Sequence, residues 1–542
     1  MKYDGIILGS GHNSLILQAY LCRSGLKVLC IERNPEAGGA LRTIEDPRES
    51  GFCHNTHSFF HRAIMQMPWY RDLELARYGA QYIEPELSTV LLLKDGRALE
   101  WWTDVDRTYE SFAAFNDRDA NTMRRWTEAF TDIVEKITGP ESQAPPLPTG
   151  IRKQLLGASA MGRLLHETSQ LSPLEFVERE FEDPVIKGGL LFFNGLREVD
   201  LRCRGFGHHI PMLLASRGKA QMCLGGAAAL AKALVKVIEA NNGEVLLNTS
   251  PKQVLVEHGR AVGVETENGE CYFAEHFVAS GLNPVQTFLE LVPEASVPAD
   301  WRDKARNFHF NLIAPLMAVN LNLDEAPRYA AFEQRPHLQG AHMTILGLEG
   351  FHLYPEIVSH HEAGTIPPTV MWGCCPTLFD PSQAPAGKHT AFMWEKLPYR
   401  LHGDAAHWDE FRDKHAQHMI SMWSEYAPNL KDNIRSWFSR SPLDTERTFA
   451  NMKFGDLSVG AFTHGQIGYD RPFPGAGHYR SCIDRLYLCA ACCHPGGNIT
   501  GLPGYNCAQV LMQDLSLPVP WAPVPIEQQL AALAAEGGEL EV

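Results

Sequence analysis

Residues 3–33 constrain this chain more than any other stretch. Tyr3-Asp4-Gly5-Ile6-Ile7-Leu8 reads as a short buried strand, and Gly9-Ser10-Gly11-His12-Asn13-Ser14 follows at once. An apolar-periodic helix then runs through Leu15, Leu17, Ala19 and Leu21 until Gly25 breaks it, and Lys27–Glu32 reads as a second strand ending in an acid. This order predicts a βαβ dinucleotide-binding unit. Gly9 permits the tight turn, and Gly11 lets the backbone approach a pyrophosphate. The helix N-terminus presents unpaired N–H groups and a partial positive charge to it. Glu32 can accept from ribose hydroxyls and would repel a 2′-phosphate. Ser14 stands where the fingerprint has its third glycine, and its small side chain suits close helix–strand contact.

At 542 residues the chain can hold two large domains or three small ones. Its 48 Lys and Arg against 64 Asp and Glu give a net charge of −16, and there is no basic run, so nucleic acid is not an expected partner. Nowhere do about 18 apolar residues run together, which predicts no membrane span. Met1 stands two residues before the first strand, so no signal or transit segment is expected. A cytoplasmic location is expected, with peripheral membrane contact left open by a lipid-like substrate. Of the thirteen cysteines, Cys489 and Cys492 form a C-x-x-C. It has neither a second ligand pair for zinc nor a thioredoxin-like context, and reads as inert small residues lining a turn.

The rest of the chain alternates in character. Val90–Lys94 and Leu99–Trp102 flank a hairpin turn at Asp95-Gly96. Residues 107–215 read as a mostly helical cap, and 217–292 return to α/β character, with strands at Val254–Glu257 and His276–Gly281. Asp484–Cys489 reads as a last strand. His494-Pro495-Gly496-Gly497-Asn498 then opens a glycine-rich turn into a helix, again aiming free N–H groups into a site. The tail from Pro518 onward reads as a loosely ordered extension.

Gly38-Gly39 followed by Arg42 resembles the extension of the glutathione-reductase-like flavoprotein class, which points to FAD rather than NAD. Together with Gly9–Ser14, Pro472–Tyr479 and His494–Asn506, nearly the whole chain resembles the bacterial-type phytoene desaturase and carotenoid isomerase-like FAD oxidoreductase superfamily. The closer likeness is to its branch called pyridine nucleotide-disulfide oxidoreductase domain-containing protein two. Ala490 and Cys492 stand where that family usually has glycines. The resemblance implies an α/β fold: a Rossmann-like FAD-binding domain with an inserted α+β substrate domain and a helical cap. The expected division is 1–106, 216–299 and 476–520 for a discontinuous FAD domain, 107–215 for the cap, 300–475 for the substrate domain and 521–542 for a C-terminal extension. The expected cofactor set is Gly9, Gly11, His12, Asn13, Ser14, Glu32, Arg33, Gly38, Gly39, Arg42, Val254, His494, Pro495, Gly496, Gly497 and Asn498.

The implied activity is hydride removal from a largely apolar molecule, forming a C=C bond. C–N oxidation, a redox-neutral isomerase or saturase, and a flavin-binding scaffold without turnover are the alternatives. Oxygen, a quinone or another acceptor would reoxidise the flavin. Dehydrogenation needs a dedicated base only if an acidic proton leaves with the hydride. The polar candidates are His54, His57, His61, His208, His209, His360, His361, Tyr354 and Glu395, with His209 at the end of the cap as the acid/base candidate. His57 and His61 have H-x-x-x-H spacing, but no carboxylate lies between them, and no metal is expected. The flavin ring is expected between His494–Gly497 and the cap. Aromatic residues including Trp101, Trp102, Phe192, Phe193, Trp372 and Trp394 are candidates for core or for an apolar tunnel.

Overall fold

A computed structural model describes residues 2–194 and 199–536. The Phe193 side chain lies outside what is described. Strand β1 (Lys2–Leu8) pairs in parallel with β2 (Val28–Ile31), from Gly5 opposite Val28 to Leu8 opposite Ile31, and helix α1 (His12–Arg23) connects them. Ile6, Ile7 and Leu8 are fully buried, as a central parallel strand covered on both faces requires. The other neighbour of β1 is the strand Cys271–Ser280, which also pairs with Leu486–Leu488. Glu244–Leu246 adds beyond β2, and the antiparallel strands Pro251–Glu257 and Arg260–Thr266 complete the far side. Three distant stretches of chain thus build one Rossmann-like sheet. A Cβ on Gly5 would lie 2.0 Å from the Phe277 ring, so β1 can take only glycine there without displacing its neighbour.

A second seven-stranded sheet runs in the order Ile434–Arg440, Leu316–Leu323, His389–Lys396, Met371–Cys374, Met343–Leu346, Leu87–Leu92, Ala98–Trp102. The hairpin at Asp95-Gly96 therefore belongs here, not to the nucleotide-binding half as the division at 106 had it. Val90 pairs with Thr344, which carries the hairpin into the substrate sheet. Conversely Phe308, Phe449, Met452, Val459 and Phe473, expected in the substrate domain, are buried in the core of the nucleotide-binding half. One face of the second sheet packs under the cap helices and the other under the helix Trp408–Tyr426.

The tail departs from expectation. Ile526–Glu536 is a helix, and Ile526, Leu530 and Leu533 are buried in the core shared by the cap and the second sheet. Their i, i+4, i+7 spacing is one helical face. Ahead of it, the Trp521 ring lies 4.4 Å from Tyr20. Residues 537–542 lie outside the described residues. No helix among the described residues is long and apolar enough to cross a membrane.

Candidate functional site

A cavity of about 740 Å³ opens at the C-terminal ends of β1 and β2 and runs inward to the second sheet. Its volume falls in the range of cofactor sites. Gly9, Gly11, His12, Asn13, Ser14, Glu32, Arg33, Gly39 and Asn498 all line it. No side chain caps the first turn of α1. A Cβ on Gly11 would meet nothing within 4 Å, so the turn leaves room in front of these N–H groups. His12 Nε2 and Asn13 Oδ1 are buried without a hydrogen-bond partner among the described residues. Uncapped donors and an open glycine together fit the pyrophosphate of a dinucleotide. Ser14 is accommodated because glycine faces it: a Cβ on Gly281 would lie 2.0 Å from Ser14 Oγ.

Glu32 is 7% exposed and fully engaged. Its Oε2 accepts from the Ser10 N–H and hydroxyl, both at 2.9 Å, and its Oε1 from the Asn34 N–H and amide, both at 2.9 Å. The acid thus braces the glycine turn and lines the cavity beside it.

Gly38 backs this turn rather than lining the cavity. Its N–H donates to Ser10 O at 2.9 Å, and a Cβ would lie 2.5 Å from Ala231. Arg42 also stands off the lining, beside Glu36 at 3.6 Å. Val254 is buried in the apolar core of its strand pair, and Ser250, Pro251 and Lys252 line the cavity instead.

The closing turn is displaced from its expected role. His494, Pro495, Gly496 and Gly497 do not line the cavity, whereas Ala490, Ala491, Asn498, Ile499 and Thr500 do. Gly496 packs on Phe462 and Gly497 on the Ser458 backbone, where a Cβ would stand 2.2 and 2.4 Å away. His494 Nε2 donates to Glu141 O at 2.9 Å, and His478 Nε2 to Pro146 O at 2.8 Å, which ties the cap to this turn. Burial pushes His494 down to about 4, and the neutral ring serves as a donor.

His209 packs against Phe206 and His208, away from the cavity lining, so the cap-side acid/base role has no support in the geometry. His54, His208, His360, His361, Tyr354 and Glu395 also lie outside the lining. His57 and His61 do line it. His57 Nε2 accepts from Arg440 at 3.0 Å, so Nδ1 donates to Thr56 Oγ1 at 2.8 Å. His61 contacts Tyr82 OH at 2.8 Å and Ser58 Oγ at 3.3 Å. Burial holds His57 well below its ordinary range and His61 at about 3, so both rings are neutral. Phe59, Phe60, Leu316, Trp372, Trp394 and Lys396 complete the inner end. Lys396 was not among the sequence candidates; a lysine at the end of an apolar strand run was the available signal.

The mid-chain glycine turn Leu224-Gly225-Gly226 follows the strand Ala220–Cys223, which pairs outside the Rossmann-like sheet. The N–H groups at that turn are already taken, Gly225 by Asp380, Ala227 by Asn55 and Ala228 by Thr43.

Residues 7–69 match the NAD(P)-binding Rossmann-like domain family. A limonene dehydrogenase component of Castellaniella defragrans is 29% identical, over 96% of each chain. Pyridine nucleotide-disulfide oxidoreductase domain-containing protein 2 of Mus musculus is 26% identical, over 95% of this chain and 94% of its own. The lycopene-forming phytoene desaturase of Pantoea ananas is 22% identical, over 94% and 99%. Among solved structures, a putrescine oxidase superposes with a TM-score of 0.60 at 11% identity, over 95% of this chain and 99% of its own, which is a likeness of fold. With the glycine turn and the braced acid, the chain is similar over nearly its whole length to FAD oxidoreductases of the carotenoid desaturase- and isomerase-like superfamily.

Proposed function

We propose that this FAD-dependent oxidoreductase dehydrogenates a largely apolar organic molecule and forms a C=C bond. The observation that carries the reading is the inner end of the cavity, where Phe59, Phe60, Leu316, Trp372 and Trp394 wall one continuous space with the nucleotide turn. Bound FAD supplies a hydride acceptor at N5. Gly11 and the first turn of α1 would hold its pyrophosphate, Glu32 its ribose, and Ala490–Ala491 and Asn498–Thr500 would pass its ring. The aromatic walls exclude water and hold the substrate C–H in one orientation, which is where positioning lowers the barrier.

Forming C=C removes a hydride and a proton from neighbouring carbons. His57 and His61 are poor proton acceptors, because burial disfavours their charged forms. Hydride departure therefore leads, which favours allylic C–H bonds, where the cationic carbon is stabilised; that cation acidifies the neighbouring C–H enough for its proton to pass to the neutral His61 ring in the cavity wall. Phe60 and Arg62 also border a small chamber of about 60 Å³ between Leu213 of the cap and Met343 of the sheet.

Anaerobic mixing of the holoenzyme with cyclic and acyclic terpene hydrocarbons, with flavin absorbance and products followed together, tests the reading. Flavin bleaching with a product that has gained one C=C is expected. Isomerised product without bleaching, or bleaching by primary amines alone, overturns it.

A further inference from the structure

Three short strands behind the cavity wall bring His61 and Tyr82 together. Ala220–Cys223 pairs with His61–Arg62 on one side and with Tyr82–Ile83 on the other. His61 stands opposite Gln221, and Tyr82 opposite Cys223. Gln221 and Cys223 are two residues apart on one strand, so all four side chains share one face of the ribbon. The His61 and Tyr82 rings meet over the central strand, with their centres 5.8 Å apart. His61 lines the cavity, and Tyr82 stands behind it.

The two ring nitrogens of His61 have different surroundings. Nδ1 lies 2.8 Å from the hydroxyl oxygen of Tyr82, behind the wall. Nε2 lies 3.3 Å from Oγ of Ser58, itself a lining residue. The Ser58 hydroxyl donates its one hydrogen to Ala40 O at 2.9 Å, so it offers Nε2 only lone pairs. Tyr82 has the Cys223 thiol as a second neighbour for its own hydrogen, which leaves its oxygen to accept from Nδ1. Among the described residues no carboxylate hydrogen-bonds to His61, and its ionisable neighbours are the neutral rings of His12 and His342. A tyrosine hydroxyl therefore stands where an acid would otherwise orient the ring.

We propose that Tyr82 is a positioning residue for the proton-transfer step: it holds His61 as the Nδ1–H tautomer, with the Nε2 lone pair turned to the substrate space. The proposal rests on the reading that this cavity dehydrogenates an apolar substrate. Once the hydride has left one carbon, the C–H bond of its neighbour breaks. The electron pair of that bond becomes the second bond of C=C, and the proton bonds to Nε2. The hydrogen on Nδ1 stays in place. The imidazolium so formed has an oxygen acceptor at each N–H, Tyr82 at Nδ1 and Ser58 at Nε2. A charged donor left unpaired in so buried a wall would be costly, and both acceptors are in position before the proton arrives.

Nitrogen-15 NMR of holoenzyme labelled on histidine tests the tautomer without a substrate, with H61Q used to identify the His61 signals. At neutral pH the wild-type ring is expected to carry its hydrogen on Nδ1. In Y82F it should pass to the Nε2–H form, which still has Ser58 as an acceptor. A wild-type ring protonated on Nε2, or an unchanged tautomer in Y82F, overturns the proposal, and the wild-type spectrum decides even where Y82F does not fold. With a terpene hydrocarbon that bleaches the flavin, Y82F should slow single-turnover formation of the C=C product by at least about tenfold. Its dissociation constant for that hydrocarbon should stay within about threefold of the wild type. Affinity and rate falling together would show a structural role only. Should no hydrocarbon bleach the flavin, the proposed function fails, while the spectra still report whether Tyr82 sets the ring.

Discussion

Glu32 and Ser10 are joined twice, because the carboxylate accepts both the backbone N–H and the hydroxyl of Ser10 at 2.9 Å. The acid at the end of β2 thus shapes the turn that ends β1, and its loss acts on FAD binding through two routes. E32A should weaken FAD binding by about 1–3 kcal/mol, since donors on buried Ser10 and half-buried Asn34 lose their acceptors and the ribose loses its own. That is about one to two decades in the dissociation constant, measured by titrating FAD into the deflavinated protein. An unchanged constant would place the ribose contact elsewhere.

Burial pushes His12 down to about 4 and His61 and His342 to about 3. Each ring is neutral in the folded chain and titrates at its ordinary value near 6.5 once unfolded. Between those values the unfolded chain binds more protons, so stability is complete above about pH 6.5 and falls as pH drops toward 3–4, by up to about 1.4 kcal/mol per pH unit for each histidine. The melting temperature should therefore fall steadily from pH 7 to pH 4.5. A flat profile over that range would show these rings to be solvated.

How much could be read from sequence depends on whether the signal was local. The turn from Gly9 to Ser14 and the acid Glu32 were legible because strand, glycine and helix stand in one unbroken run. The closing segment was legible as a glycine turn, but its contacts were misplaced: Gly496 and Gly497 look made for a cofactor, yet their space is filled by Phe462 and Ser458, and the lining falls to Ala490, Ala491 and Asn498 on either side. Trp394 was legible as a tunnel candidate, whereas Lys396 escaped because its face is set by pairing with Leu316–Leu323, a partner about eighty residues away in sequence. His209 was chosen for its place at the end of the cap, and the packing of the cap turns it toward Phe206. The tail helix was hidden by the prolines before it, although Ile526, Leu530 and Leu533 mark its buried face.

NADH and NADPH should not reduce the flavin rapidly. The N–H groups of the mid-chain glycine turn are bonded to Asp380, Asn55 and Thr43, so they are not available to a second pyrophosphate. Stopped-flow mixing at micromolar nicotinamide checks this. Fast stoichiometric reduction would reveal a site elsewhere.

The central claim is that the cavity at Gly11 holds the FAD pyrophosphate, and G11V tests it most directly. Gly11 has φ −59° and ψ 159°, a conformation open to any residue, and a Cβ there meets no protein atom within 4 Å. The apoprotein should therefore melt within about 1–2 °C of the wild type, as a surface-like substitution within about ±0.5 kcal/mol would. The valine side chain should still fill the space the pyrophosphate needs, and FAD affinity, measured by titration into the same apoprotein, should fall by at least about a hundredfold, or 2.7 kcal/mol. Wild-type FAD affinity in a normally folded G11V protein would contradict the account.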